Sequence, residues 1–527
     1  MCKKGLSITR IISLKRFISL FLCVILILSI VGCQSSGEKA SEGEKSVTSS
    51  AEKDNKSNDS STEKTIVKLT MLTSAATNQP AKDQDIILKE LKKQLMEYNI
   101  DLDVNTLTDY SNQLNVRIAG GNIPDIFSAG KIEYVEFAKQ GILLQLDPYM
   151  NNLPSVLKNY SEDIINQAKV DGKMYGISKR PYVNYDLLFV RKDWLDKLGL
   201  EVPKTLDEFY NVAVAFREND PDGNGQKDTY GFSTGGQGIR GFSPIFGAYG
   251  TTTPTNIYVV DNTLKYSTTE PMFKEALAYI KKFIDSGAVD PEFLVNTTEV
   301  GRQKMFMGQV GMAYFQWSEM TKPPFGDQLK EADPNAEWIY IEPLEGPGGK
   351  YLTSTSKAVG SFLCFSSALE KDRQKLEAAL KFADLITEGP IHNLLCYGIE
   401  NKHHKVENGK IVALPEIGEV SYSWVYQLTG RNEMEYLIAK YPICENEIIY
   451  AATAPMIETL NGYIINPEGF NYGDLSKYES DEVIKFIYGQ KDFSEYDKFI
   501  ETCYSAYNLS LYLEEAEKQL KQFGILK

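Results

Sequence analysis

Apolar positions recur along the chain in two rhythms, and together they predict an α/β body. From Thr65, Ile66, Val67, Leu69, Met71 and Leu72 mark a short strand, and Ile87, Leu91, Leu95 and Tyr98 then fall at three- and four-residue steps on one helix face. Ile100 to Val104 alternates as a second strand, Asp109 to Ala119 repeats the helical spacing until Gly120-Gly121 stops it, and Pro124 to Phe127 is a short buried strand. This β-α-β-α-β order predicts an α/β sheet. Open sheets hold ligands beyond the carboxyl ends of their strands, which makes Phe127, Ser128 and Gly130 a candidate cleft-lining loop, with a plain strand-to-helix turn as the alternative. Further helices are predicted at Lys192 to Gly199, from a Thr205-x-x-Glu208 capping box to Arg217, at Phe273 to Ser286, at Lys371 to Thr387 and at Glu495 to Gln522.

The first 64 residues follow neither rhythm. Lys3, Lys4, Arg10, Lys15 and Arg16 lead into an apolar run, Phe17 to Val31, too short for a comfortable membrane span, and Ile30-Val31-Gly32-Cys33 resembles a bacterial lipobox. The expectation is a signal peptide over 1–32, with Cys33 as the lipidated first residue of a protein held on the extracellular face of the cell membrane. Gln34 to Lys64 has too few large apolar side chains to offset the entropy of ordering, so 33–64 is predicted to be a disordered linker with a reach of roughly 30 Å.

Charge narrows the partners. Lys and Arg number 56 against 71 Asp and Glu, a net charge of −15, and loss of the five leader cations takes this to −20. Such a body does not grip phosphate backbones or anionic lipid, so nucleic acid is excluded as a partner and the membrane is met through the lipid anchor alone. Past Cys33 only Cys364, Cys396, Cys444 and Cys503 remain, too scattered for a disulfide framework or a metal site. They are expected to be mostly buried thiols, with room for one disulfide.

Gly120-Gly-Asn-Ile-Pro-Asp-Ile-Phe127, Gly172-Lys-Met-Tyr-Gly-Ile177, Val190-Arg-Lys-Asp-Trp-Leu-Asp-Lys-Leu-Gly-Leu200, Lys204-Thr-Leu-Asp-Glu-Phe209, Val289-Asp-Pro-Glu-Phe293 and Pro343-Leu-Glu-Gly-Pro347 together resemble family 1 extracellular solute-binding lipoproteins, the sugar-capturing subunits of ABC importers. The resemblance implies a two-lobed α/β fold of the periplasmic-binding-protein type, with hinge segments between lobes and a carbohydrate, an oligosaccharide by preference, held in the cleft and passed to permease subunits. Lobe 1 is expected over 65–180 plus about 357–415, and lobe 2 over 181–356 plus about 416–527, with hinges near Arg180 and near Ser356 to Val359. A monomer is expected. The resemblance weakens after about residue 430.

The resemblance also places Arg180, Tyr182, Asn184 and Tyr185 where the family's first hinge crosses the cleft; Arg180 suits either an acidic sugar or a hinge contact. Sugars stack their C–H faces on rings, and the stretch around Trp317 resembles one in maltodextrin binders that carries a stacking tryptophan. Trp424 and Tyr249 are further candidate platforms, and Trp194 is expected in the core.

Asp220, Asp222, Asn224, Gln226 and Asp228 stand at positions 1, 3, 5, 7 and 9 of a calcium-type loop, with glycine at position 6 and Gly231 in place of the twelfth-position Glu. Structural Ca2+ is the expectation, as in the alginate-oligosaccharide-binding proteins this loop resembles; a solvated acidic turn is the alternative. The missing ligand would come from Thr229, water or elsewhere.

The rival class is a secreted carbohydrate-active enzyme such as a glycoside hydrolase, or else a ligand-sensing lipoprotein. Gly231-Phe-Ser233-Thr-Gly235 has the spacing of a nucleophile elbow, but Gly235-Gly-Gln-Gly238 cannot start a firm helix. The three histidines, His392, His403 and His404, all lie late in the chain, the last two in an expected exposed loop. No enzyme activity is expected.

Overall fold

The computed structural model describes residues 65–354 and 357–527; the signal segment, Cys33, the linker and Ser356 of the expected second hinge lie outside them. In chain order the main elements are β1 (Val67–Ser74), α1 (Ile86–Met96), β2 (Ile100–Leu107), α2 (Tyr110–Ala119), β3 (Ile126–Gly130), α3 (Lys131–Lys139), β4 (Gly176–Ser178), β5 (Asp186–Arg191), α4 (Leu206–Glu218), β6 (Tyr230–Ser233), β7 (Val310–Gln316), β8 (Trp338–Ile341), β9 (Leu352–Ser354) and β10 (Ser361–Phe365). They are followed by α5 (Pro390–Tyr397), α6 (Glu433–Lys440), α7 (Glu445–Thr453), β11 (Met456–Glu458), α8 (Tyr472–Ile487) and α9 (Leu509–Gln522).

Two sheets organise the body. The first has the order β2-β1-β3-β10-β4, parallel through β2, β1 and β3 and antiparallel at β10. The second has the order β8-β5-β7-β6, in which β6 and β7 are parallel and β5 runs against β7 and β8. The period-two pattern of Ile100, Leu102 and Val104 turns those side chains into the first core, and α1 covers the same sheet with Ile87, Leu88, Leu91 and Leu95. Asp85 caps α1 by accepting from the Leu88 N–H at 2.9 Å. In the second lobe the expected capping box is formed: Thr205 Oγ1 accepts from Glu208 N and the Glu208 carboxylate accepts from Thr205 N.

The lobe boundary expected at residue 416 lies too early. Val420, Tyr422, Val425, Tyr426 and Leu428 complete the first core, because Pro415–Tyr426 folds back over the β1–α1 loop. Beyond that segment the chain packs on the second lobe: α6 and α7 cover one face of its sheet, while α8 and α9 supply Leu475, Val483, Phe486, Tyr512 and Leu520 to its other core. The C-terminal hundred residues are therefore structural parts of the second lobe.

All four described cysteines are buried and free, so no disulfide joins them. His403 and His404 are buried rather than exposed. His403 Nδ1 accepts from the Ile399 N–H at 2.9 Å, and His404 Nδ1 lies 3.2 Å from the Tyr397 carbonyl, so both rings fasten the turn after α5.

Candidate ligand-binding cleft

Three stretches connect the lobes: 179–185 between β4 and β5, the segment between β9 and β10, and residues 427–433. The first and third are joined directly, since Arg180 N donates to the Thr429 carbonyl at 3.2 Å. Around them the polar side chains are committed to one another. Arg431 holds Glu433 through two hydrogen bonds, of 2.8 and 3.1 Å, and stacks on Tyr436. The Tyr185 hydroxyl donates to Glu433 at 2.7 Å, and Asn184 donates to the carbonyls of Asp186 and Ala451. Arg180 lies over the Tyr160 ring and makes one long contact, 3.4 Å, to the Thr387 carbonyl. Arg180, Asn184 and Tyr185 thus build the hinge, whereas Tyr182 is 66% exposed on the crossing.

Across the hinge, a cavity of about 430 Å³ opens beside β5, β6 and β7. Asp186, the first residue of β5, lies opposite Gln316, the last of β7, so it sits where the parallel pair β6 and β7 presents its carboxyl ends. Its buried carboxyl accepts from Gln237 Nε2 at 2.9 Å. Burial pushes its pKa above the ordinary carboxylate value, and the charge of Arg240 with the Gln237 bond opposes that rise. Gln237 and Arg240 reach this place because Gly235 and Gly236 turn the chain with φ of 58° and 83°. A Cβ at Gly235 would lie 2.3 Å from the Phe315 ring, and one at Gly236 would lie 2.4 Å from the Thr297 backbone. Asn256, Ser476 and Ser480 add amide and hydroxyl groups to a mixed wall that also presents Ile239, Pro254 and Tyr314. Such a wall suits a ligand with many hydroxyls.

The first lobe approaches from β3. Lys131, just past its carboxyl end, donates to the carbonyls of Gly462 (2.9 Å) and Tyr463, two residues of the second lobe close in sequence to the cavity-lining Thr459. Its ammonium is buried, which lowers its pKa to about 7. The expected loop beside it is less open than its position suggests. Phe127 is fully buried against Phe137, a core ring rather than a cleft ring, and half-buried Ser128 is held by the Tyr110 hydroxyl through its N–H and carbonyl.

Trp317 also departs from expectation. Its indole has 0% exposure, is stacked on Tyr185 at 5.7 Å and meets Tyr441 edge-on at 6.2 Å, so in this structure it is a core residue. The cause is the cover that α6 and α7 lay over the end of β7, a feature without a sequence signal at Trp317 itself. Tyr249 packs against Tyr279 and is acted on by Asp207 and Glu275, outside the cavity. Trp424 is 40% exposed on the segment that closes the carboxyl end of β1. That segment is fixed by Thr73 donating to the Val425 carbonyl, by Asn78 donating to Ser421 and by Tyr422 donating to Asp85. Trp194 lies in the core as expected.

The acidic loop is tightly wound. Asp220 accepts from the N–H groups of Gly223, Asn224 and Gly225, and Asn224 Nδ2 donates to Asp222 at 2.7 Å and to Asp228 at 3.1 Å. A hydrogen bond from Asp222 helps hold Asp220 below the usual carboxylate range, while burial and its acidic neighbours push Asp222 up. Asp222 and Asp228 therefore converge on one amide, with Asp220 turned to the backbone beside them, a donor set that suits a hard cation. Among the described residues no three His, Cys, Asp or Glu side chains stand in ligating geometry, so Asn224 and the Gln226 carbonyl would be needed to complete the set. Thr229 is no ligand, because its hydroxyl is turned inward to the Phe216 carbonyl at 2.7 Å.

Ser233 of the apparent elbow hydrogen-bonds buried Asp290 at 3.1 Å, and Asp290 in turn binds Asn296 and Lys304. This is a structural network without a histidine.

Residues 76–388 match the family model of the bacterial extracellular solute-binding proteins. The chain belongs to that family. Among its relatives, the polygalacturonan/rhamnogalacturonan-binding protein YtcQ of Bacillus subtilis is 27% identical over 524 residues, which cover 95% of this chain and 98% of YtcQ. Lipoprotein LipO of the same organism is 27% identical over 63% of this chain and 66% of its own. The fructooligosaccharide ABC transporter substrate-binding protein FusA of Streptococcus pneumoniae is 27% identical over 57% of each chain. Its structure with kestose superposes with a TM-score of 0.62 at 20% identity, covering 87% of this chain and 100% of FusA. Solute-binding proteins of this family bind and do not transform their cargo, and the two-lobed α/β fold is theirs. Asp186, Gln237, Arg240, Asn256 and Ser476 were not anticipated. The usable signal was the glycine-rich turn after β6, which marks a loop at a strand's carboxyl end ahead of the short helices at Gly238–Phe242 and Ser243–Ala248.

Proposed function

We propose that this solute-binding protein captures an oligosaccharide between its lobes and delivers it to the permease of an ABC importer. The observation that carries this reading is the polar cavity at the carboxyl ends of β6 and β7, next to a three-stranded hinge, in a chain of this family. Trp424, on the segment over the carboxyl end of β1, and Tyr182, on the crossing, offer exposed rings. Relatives named for polygalacturonan and fructooligosaccharide support the ligand class. The test is a thermal-shift screen of the full chain in detergent against oligosaccharides, with chromatography of the mixtures. A raised melting temperature without products is expected; appearance of shorter sugars would sink the receptor reading.

Two further parts belong to the proposal. Cys33 carries the lipid that holds the protein at the outer membrane face, a reading supported by the lipobox and by the relative named as a lipoprotein. Cys33→Ala should release the protein from the membrane fraction, and retention there with unchanged mass would end that reading. The loop of Asp220, Asp222, Asn224, Gln226 and Asp228 binds structural Ca2+, which would discharge its crowded carboxylates. A chelator should lower the melting temperature while sugar affinity stays within about threefold, because the loop follows α4 and lines no part of the cavity. Superimposable melting curves with and without chelator would return the loop to a solvated turn.

A further inference from the structure

The cations around the cleft are poorly matched by acids. In the cavity, Arg240 is exposed and its guanidinium makes no hydrogen bond or ion pair among the described residues; its charge reaches buried Asp186, which takes its hydrogen bond from Gln237. At the other end of the crossing, Lys179, Arg180 and Arg431 face one carboxylate, Glu433, which Arg431 and Tyr185 already occupy. Glu388 acts on Arg180 through its charge but is held by Lys158 and Asn159. The ammonium of half-buried Lys179 has no hydrogen bond or ion pair among the described residues, and Arg180 Nε is buried without a partner. Burial and the nearby Arg431 lower the Lys179 pKa, so its charge is held at a cost. All this occurs in a chain whose net charge is −15.

An uncompensated cation beside a polar cavity is stabilised by an anionic ligand, whereas a neutral sugar leaves it unpaired. We infer that the ligand is an acidic oligosaccharide whose uronate carboxylates are met by Arg240 in the cavity and by Lys179 at the crossing. This rests on the oligosaccharide reading above. Lys179 precedes the 180–185 crossing and Asp186, which the Arg240 charge reaches, follows it, so a chain of several sugar units would run along the crossing to meet both cations.

The experiment is calorimetric titration of the full chain in detergent with trigalacturonate and with its fully methyl-esterified form, which keeps the backbone and removes the charge. The acid should bind at least about tenfold more tightly than the ester, with a gap that narrows as salt is raised. Arg240→Gln and Lys179→Gln should each weaken the acid by a larger factor than the ester, so that the ratio of the two affinities falls towards one. Should Lys179→Gln melt early without ligand, Arg240→Gln decides, since its side chain is exposed and makes no hydrogen bond or ion pair among the described residues. Equal affinity for acid and ester, or binding of a neutral fructooligosaccharide alone, would overturn the acidic class and leave the oligosaccharide reading standing. Binding of no saccharide at all would overturn both.

Discussion

Trp317→Ala will destabilise the empty protein by about 3–5 kcal/mol, the range for truncating a large buried aromatic. The ring is enclosed on every side: Tyr185 is stacked against it, Tyr441 meets its edge, and it shares a core with Cys444, Ile448 and Ala451 on the α6–α7 side of the second sheet. Removing it leaves a cavity between that sheet and its helical cover. It also frees Tyr185, whose hydroxyl ties Glu433 into the hinge. Denaturant unfolding with and without saccharide separates the two roles a tryptophan can have here. A large loss of stability in the absence of sugar is expected. Unchanged stability with lost binding would make the ring a sugar platform instead.

Glu479→Gln will remove a pH dependence from the fold. The Glu479 carboxyl is fully buried on α8; Tyr266 donates to Oε1 at 2.7 Å, and Oε2 has no partner among the described residues. Burial is the main cause of a pKa raised from 4.5 to about 7, opposed by Tyr266, Thr268, Cys503 and the Thr255 backbone, none of them a cation. The folded state therefore keeps a proton that the unfolded chain has released. The Glu479 contribution to stability is fully present below pH 4.5 and is lost as the pH rises through 7, by a total on the order of 3 kcal/mol. The glutamine variant should match the wild type near pH 4.5 and exceed it at pH 8, measured as unfolding free energy across that range. Parallel pH profiles for the two proteins would show that Glu479 is ionised in the native state.

The first lobe was the more legible in the sequence because its strands alternate cleanly and its helices carry caps and glycine stops. Ile100 to Val104 and the α1 stripe have local causes, as does the Thr205 capping box of the second lobe, and local patterns report them. The site was less legible because its residues meet only through tertiary packing. Asp186, Gln237 and Ser476 are far apart in the chain, and nothing near Asp186 distinguishes it from any polar residue at a strand start. The same limit explains Trp317, whose position at a strand end suggests a cleft while the cover over that end decides its burial, and Phe127, which lies inside the sheet because β3 runs on to Gly130. Pro415–Tyr426 joins the first core although it follows a long excursion, because Tyr422 and Tyr426 find Asp85 there. Periodicity carries no information about such a partner.

The central claim is that saccharide occupies the cavity around Asp186, and filling that cavity tests it most directly. Ser476 lines it from α8 and its hydroxyl makes no hydrogen bond among the described residues, so Ser476→Trp blocks the space without breaking a polar network. Calorimetric titration with a saccharide that binds the wild type should show a loss of about a hundredfold or more in Ser476→Trp, with the melting temperature of the empty protein unchanged. Wild-type affinity in that variant would place the saccharide elsewhere and contradict the site.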